Sequence, residues 1–251
     1  MPAERLSATP DRAPPLSLGE TSLFFDFDGT LVDLAETPDA VVVEPALLTQ
    51  LDALAARLPG RVAIISGRSI AQLDAMLGGH ARLFAVAGSH GAERRTPDEG
   101  HVTPQAPQAL ERAAAELAAY AAANDLVFEA KSLGAALHYR TRPDREAEAV
   151  RFVEQVAETR KLTLQRGKMM VEVRSPGDKG AALTTLMAAP TMAGTTPLFF
   201  GDDVTDEDGF VAAAALGGDG VLIGAPRPTA ATYRLGDVNA LRDWIAAILE
   251  T

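Results

Sequence analysis

Leu23-Phe24-Phe25-Asp26-Phe27-Asp28-Gly29-Thr30 holds a strand, the end of that strand and a pair of carboxylates. The apolar run Leu23-Phe24-Phe25 reads as a short buried strand. Gly29 permits a tight backbone turn immediately after it. Asp26 and Asp28 stand two residues apart, so both side chains leave the strand end on one side. Like charges that close repel unless a cation lies between them. A hard dication such as Mg²⁺, which prefers oxygen ligands, satisfies both.

On the C-terminal side of this strand, helix-like and strand-like segments alternate, as in α/β sheet proteins. Ala46–Leu58 repeats Leu47, Leu48, Leu51, Leu54, Ala55 and Leu58 at helical spacing and stops at Pro59-Gly60. Arg61–Ile65 reads as a strand, Ile70–Leu77 as a helix and Leu83–Ala87 as a third strand. Thr96–Pro107 is polar and proline-rich and reads as a linker. Beyond it come a helix at Pro107–Ala123, strands at Val127–Lys131 and Ala135–Thr141, a charged helix at Arg145–Arg160, and strands at Leu162–Gln165 and Met169–Arg174. That block reads as an α+β unit with an antiparallel sheet, where apolar and polar residues alternate. The α/β rhythm then resumes with helix Lys179–Ala188, strand Pro197–Phe200, helix Asp206–Ala215, strand Gly220–Ile223 and a last helix near Val238–Leu249. The expected architecture is a Rossmann-like parallel-sheet α/β core in two pieces, 20–96 and 176–251. An α+β cap is inserted at 97–175, and a flexible tail occupies 1–19.

Composition narrows the function. Of 251 residues 47% are apolar, enough for a core and against disorder. The formal charge of −11, from 23 Lys+Arg against 34 Asp+Glu, argues against nucleic acid or an anionic membrane as partner. A small anionic substrate in a local basic pocket remains compatible. The chain has no cysteine, which removes disulfides, thiolate nucleophiles and Cys-metal sites and fits a cytoplasmic protein. No apolar run approaches the ~20 residues that span a bilayer. The first twenty residues hold four prolines and no apolar signal core. A monomer is expected, with the oligomeric state left open.

Polar groups fall at four expected strand ends: Asp26/Asp28, Ser66, Ser89-His90, and Asp202-Asp203 with Asp206. Lys179 opens the helix after the cap. An acidic cluster with one Lys and one Ser suits metal-assisted phosphoryl transfer, the metal bridging carboxylates and phosphate. In order, Asp26-x-Asp28-Gly29-Thr30, Ser66, Lys179 and Gly201-Asp202-Asp203-x-x-Asp206 resemble the four motifs of the haloacid dehalogenase-like phosphatases. The resemblance implies that Asp26 is the nucleophile and forms an aspartyl-phosphate. It implies that Asp28 protonates the leaving oxygen and then deprotonates water. It also implies Mg²⁺ on Asp26, the Asp28 carbonyl and Asp202, with Asp203 and Asp206 behind them, and phosphate on Ser66, Gly67 and Lys179.

The cap bears on the substrate. Glu129 and Lys131 share one strand face, as do His138 and Arg140, opposite Leu137 and Tyr139. Lys168, Met170, Glu172 and Arg174 oppose Met169, Val171 and Val173. Such a mixed polar face suits a polyhydroxylated ligand. Gly88-Ser89-His90-Gly91-Ala92-Glu93, Glu129-Ala130-Lys131, Leu137-His138-Tyr139-Arg140, Gly167-Lys168-x-x-x-Glu172 and Gly201-Asp202-Asp203-Val204-Thr205-Asp206-Glu207 resemble the trehalose-6-phosphate phosphatases, over residues 20–250. The resemblance implies hydrolysis of trehalose 6-phosphate to trehalose and phosphate, the last step of trehalose biosynthesis. Glu129, Lys131, Arg140, Lys168 and Glu172 would grip the substrate. The same chemistry on sucrose phosphate, a glycosyl-glycerate phosphate or a hexose phosphate is the alternative, and a non-catalytic sugar-phosphate sensor is a third reading. Arg68 reads as a substrate contact or as the partner of an acidic neighbour, and His90 as a substrate contact or a structural hydrogen bond within its loop. Asp206 also suits a helix cap.

Overall fold

A computed structural model describes the chain except residues 1–6, 9–11, 16–18, 36–39, 98–99, 103–107, 132, 168, 175–176 and 251. The chain forms two compact units, 1–103 with 177–251, and 104–176.

The larger unit contains β1 (Ser7–Ala8), β2 (Thr21–Phe25), α1 (Pro45–Arg57), β3 (Val62–Ile65), α2 (Ile70–Leu77), β4 (Ala85–Gly88), β5 (Glu93–Thr96) and β6 (Gly100–Val102). The smaller unit contains α3 (Gln108–Asn124), β7 (Val127–Lys131), β8 (Gly134–His138), α4 (Glu146–Arg160), β9 (Thr163–Gly167) and β10 (Met170–Arg174). The chain then returns with α5 (Lys179–Met187), β11 (Thr196–Gly201), α6 (Glu207–Ala215), β12 (Asp219–Ile223), β13 (Pro228–Thr229), β14 (Tyr233–Leu235) and α7 (Val238–Glu250).

The main sheet runs β14-β12-β11-β2-β3-β4-β5-β6. From β14 to β4 the pairs are parallel; β5 and β6 add antiparallel. In register, Phe24 lies beside Phe199 on one side and Ala63 on the other. The central strand β2 is buried on both faces, which is why it shows no polar alternation. Leu23 and Phe25 join a core with Leu51 of α1, Leu73 of α2 and Ile245 of α7. Phe24 joins a second core with Leu183 of α5 and Phe210 of α6. Phe25 stacks on Phe200 at 4.9 Å between ring centroids, and Phe200 meets Trp244 at 5.0 Å. The strand at the centre of the sheet is thereby fixed just before its catalytic-looking end.

Three readings of the larger unit need correction. The segment beginning at Thr96 is not simply a linker, because β5 ends at Thr96 and β6 covers Gly100–Val102; the rest of the proposed linker lies partly outside the described residues. Glu93-Arg94-Arg95-Thr96 has no apolar signature because its buried Arg95 pairs its terminal nitrogens with Asp74, both bonds 2.7 Å, and with the Ala81 carbonyl at 2.9 Å. The strand β14 was also not expected; its Tyr233 and Leu235 close the edge of the core. The tail is not uniformly loose. Ser7–Ala8 pairs antiparallel with β13, the Arg12 carbonyl accepts from the Arg234 backbone at 3.0 Å, and the Trp244 indole donates to the Pro14 carbonyl at 3.2 Å.

The smaller unit is an antiparallel sheet, β7-β8-β10-β9, with α3 and α4 packed against it. Leu137, Val171 and Val173 are fully buried, and Tyr120 of α3 stacks on Phe152 of α4 at 4.0 Å. The registers place Glu129 and Glu172 either side of Ala136. β8 stops at His138, and Arg140 lies in an exposed turn, so Arg140 does not continue the strand's polar face as expected. Tyr139 carries the β8–β10 pairing one residue further, its backbone N–H donating to the facing Met169 carbonyl at 3.0 Å, and the chain turns at Arg140.

Replacing Phe200 by Ala removes the ring between Phe25 and Trp244. A loss of about 3–5 kcal/mol is expected, measured by urea unfolding with the single tryptophan as fluorescent reporter.

Candidate active site

Because β2, β3, β4 and β11 are parallel, their C-terminal ends lie along one sheet edge, where open α/β sheets bind ligands. Asp26, Ser66, Ser89 and Asp202 each follow directly on one of these strands. The Asp26 backbone N–H donates to the Phe200 carbonyl at 2.8 Å, which carries the β2–β11 pairing one residue into the loop. At Gly29 φ is +84°, and a Cβ would collide with the Asp202 carboxylate, so the turn and the neighbouring loop both require glycine.

Lys179, at the first turn of α5, inserts its ammonium between two carboxylates. Its Nζ is 2.6 Å from Asp26 Oδ1 and 2.7 Å from Asp206 Oδ1. Lys179, Asp26 and Asp206 are 3%, 4% and 0% exposed, so water contributes little screening. Asp206 Oδ2 accepts the backbone N–H groups of Asp202 at 2.9 Å and Asp203 at 3.0 Å, which shapes the loop after β11. Asp26, Asp202 and Asp206 bring carboxylate oxygens within 4.8 Å of one another. Three carboxylates against one ammonium leave two negative charges uncompensated. Burial, with Asp206 adding repulsion, pushes the Asp26 carboxyl well above its ordinary range despite Lys179. Burial raises Asp206 in the same way, and burial with Asp206 and Asp203 nearby raises Asp202 from 3.8 to about 6. Burial opposes the charge on Lys179, but Asp26 and Asp206 outweigh it and the ammonium is held above its usual value. An all-oxygen, over-acidic cluster of this kind fits a hard divalent cation.

Around this cluster is a cavity of about 220 Å³ lined by Asp26, Asp28, Leu34, Ser66, Gly67, His90, Lys179, Asp202, Asp203 and Thr205. Asp28 faces it while paired with Arg68 through two bonds of 2.7 Å. Of the two readings of Arg68, the structure places it on an acidic neighbour. Ser66 is buried; its Oγ accepts the Arg68 N–H at 3.1 Å and its own N–H donates to the Ala87 carbonyl at 2.9 Å. Asp203 turns away from the cluster and caps the following turn, accepting the Thr205 N–H at 2.7 Å and its hydroxyl at 2.6 Å. Those bonds outweigh its own burial and lower its carboxyl. Asp206 completes that capping box, so its cap reading and its place in the cluster both hold.

The remaining candidates lie in the smaller unit. Glu129 is half-exposed and bonded to His138 Nε2 at 2.6 Å. Glu172 is buried, and Gly134 makes room for it: a Cβ there would lie 2.6 Å from Glu172 Oε1. Lys131 ends β7 opposite Gly134, and Lys168 lies outside the described residues. Two contributors escaped the sequence reading. Thr30 is fully buried and donates to Asp202 Oδ1 at 3.4 Å, a role its place in the opening motif could have suggested. Arg227 donates to the Asp203 carbonyl at 2.6 Å and pairs with Glu207, from a loop that carries no pattern.

A family model described as trehalose-phosphatase matches residues 24–238. The chain is 42% identical over 239 residues to a protein of Sinorhizobium fredii named probable trehalose-phosphate phosphatase, covering 92% of this chain and 88% of that one. It is 36% identical over 252 residues to the trehalose-6-phosphate phosphatase of Escherichia coli, covering 98% and 91%. Its fold is similar to that of a haloacid dehalogenase-like hydrolase from Bacteroides thetaiotaomicron, with a TM-score of 0.69 at 16% identity over 92% of this chain and all of the other. With the phosphoryl-transfer motifs gathered at one sheet edge and the match running from Phe24 to Val238, this chain belongs to the trehalose-phosphatase family.

Proposed function

We propose that the protein is a Mg²⁺-dependent phosphatase that hydrolyses trehalose 6-phosphate to trehalose and phosphate. The observation that carries the reading is the buried cluster in which Lys179 joins Asp26 and Asp206 beside Asp202, at the mouth of a cavity reached by Asp28 and Ser66. Held through Oδ1 by Lys179, the Asp26 carboxylate attacks phosphorus. The bond from phosphorus to the sugar oxygen breaks, an acyl phosphate forms on Asp26, and Asp28 gives its proton to the leaving oxygen. Asp28 then takes a proton from water, the water oxygen attacks phosphorus, and the Asp26 carboxylate is released with phosphate. The Asp26 and Asp202 carboxylates and the Asp28 carbonyl would hold Mg²⁺, which would supply the two positive charges that the cluster lacks and Lewis-acid stabilisation of the phosphoryl group. Ser66, Gly67 and Lys179 hold the phosphoryl group. Asp203 and Asp206 act behind the ligands, Asp206 by fixing the loop and both by raising the negative potential at Asp202.

A cavity of about 220 Å³ accommodates a phosphoryl group but is below the ~300–1,000 Å³ of sites that enclose drug-sized ligands. The sugar therefore needs further contacts. We assign them to Glu129, Lys131, Arg140, Lys168 and Glu172 of the smaller unit, with His90 of the cavity lining; Arg68, paired with Asp28, orients that carboxylate instead. A cytoplasmic monomer belongs to the same reading, on the grounds of composition.

Phosphate release from a panel of trehalose, sucrose, glycosyl-glycerate and hexose phosphates should be fastest on trehalose 6-phosphate and should stop with EDTA; comparable rates across the panel would move the assignment to another sugar phosphate. Asp26→Asn should lower kcat by more than about 10³-fold with the circular dichroism spectrum unchanged, and a fully active variant would sink the acyl-phosphate step. Asp202 is raised from 3.8 to about 6, so between those values the folded protein binds a proton that the unfolded chain releases. Its contribution without metal therefore favours folding as pH falls from 6 towards 4. Melting temperatures of EDTA-treated protein and of Asp202→Asn across that window should diverge, the wild type gaining on the variant as pH falls.

A further inference from the structure

Glu93 stands at the start of β5, paired in register with Gly88 at the end of β4, and is 5% exposed. A buried carboxylate is retained only where it is well bonded. Its Oε1 accepts the backbone N–H of Ile70, the first residue of α2, at 3.0 Å, and the hydroxyl of Ser89 at 2.9 Å. The negative charge thus sits at the N-terminus of the helix into which Ser66-Gly67-Arg68 leads, where the helix dipole favours it.

The segment that Glu93 anchors is strained. Ser89 and His90 are consecutive non-glycine residues with φ of +50° and +57°, a conformation that persists only where the surroundings enforce it. Bonds that enforce it run to the loop Ser66-Gly67-Arg68 and to Glu93. The Ser89 N–H donates to the Arg68 carbonyl and the His90 N–H to the Ser66 carbonyl, each at 2.8 Å. Gly88 fits beneath because it lacks a Cβ, which would lie 2.7 Å from the Ile70 nitrogen and 3.0 Å from Glu93 Oε1. One consequence reaches the cavity. The His90 ring is set against Gly67, where a Cβ would lie 2.8 Å from His90 Nε2. A second reaches Lys179, because Gly91 packs where a Cβ would lie 2.6 Å from the Ala182 Cβ and 3.2 Å from the Asp178 carbonyl.

We propose that Glu93 is a positioning residue: its carboxylate locks the left-handed Ser89-His90 pair to the phosphate loop and so fixes both His90 and Ser66 at the phosphoryl site. The inference rests on the phosphatase reading for what the site binds, but the geometry itself is read without turnover. Glu93→Gln keeps an oxygen in place for both donors, whereas Glu93→Ala removes it. Ser89→Ala deletes a single bond and leaves the carboxylate.

The test combines kcat/KM, competitive inhibition by inorganic phosphate, melting temperature and the imidazole Cε1–H resonance of His90 in the Mg²⁺-loaded protein. Glu93→Ala and Ser89→Ala should lower kcat/KM and weaken phosphate inhibition by about 10-fold, and should displace the His90 resonance. Glu93→Gln should recover to within about 3-fold of wild type. An undisplaced His90 resonance with unchanged phosphate inhibition in the well-folded Ser89→Ala protein overturns the proposal, as does a loss in Glu93→Ala that follows only the fraction unfolded. If instead the wild type failed to turn over trehalose 6-phosphate, the functional reading would fall while the His90 resonance still decided the role of Glu93.

Discussion

The ammonium of Lys179, buried between the carboxylates of Asp26 and Asp206, is the contact on which the arrangement depends. It joins residues 153 positions apart, from the first strand of the core and from the helix that follows the smaller unit. A buried ion pair is poor evidence of stability, because desolvation offsets much of the attraction. Here the balance is worse than even, since Asp202 adds a third carboxylate within 4.8 Å. The raised carboxyls of Asp26, Asp202 and Asp206 express that excess. A site selected for stability alone would not concentrate negative charge in this way, whereas a site that receives a dication and a phosphoryl group has a use for it.

The cluster is held by backbone as much as by charge. The β2–β11 pairing continues through the Asp26 N–H, and Asp206 accepts the N–H groups of Asp202 and Asp203, so both acidic loops are fixed at their roots. The two loops also approach closely enough that Gly29 must lack a side chain. Such preorganisation is what electrostatic stabilisation of phosphoryl transfer requires, because groups already in place need not reorganise during the reaction.

The sequence was legible where residues act through local patterns. The apolar β2, the helix at Ile70–Leu77 and the acidic strand ends all follow from periodicity and turn chemistry, and the structure places them as expected. It was less legible where a partner distant in sequence supplies the reason. The charged strand β5 reads as loop until Asp74 and the Ala81 carbonyl pair with the terminal nitrogens of Arg95. The Pro-rich tail reads as loose until the Trp244 indole bonds Pro14. Arg68 offered two readings, and only the bidentate contact with Asp28 separates them. Arg140 was placed by extending an alternation one step too far, past Tyr139, whose bond to the facing Met169 carbonyl still belongs to the ladder, and into the exposed turn that follows.

The two units differ in what their acidic residues do. In the larger unit the carboxylates crowd one ammonium, and their separation from water gives each a shifted proton affinity. In the smaller unit Glu129 remains half-exposed beside His138, and Glu172 is tucked under Gly134 on the same sheet, flanked by small residues at Ala136 and Gly134. Small residues beside polar ones leave a shallow surface, which suits hydroxyl groups read by hydrogen bonds better than a reacting centre that must exclude water. Chemistry and recognition thus draw on different physics. In the proposed reading the first rests on buried, unbalanced charge at the end of a parallel sheet, and the second on an antiparallel face where exposed Glu129 and buried Glu172 are spaced by the pleat. On the proposed function, the reaction would fall to a few residues around Asp26 and recognition of the sugar to a face assembled from several strands.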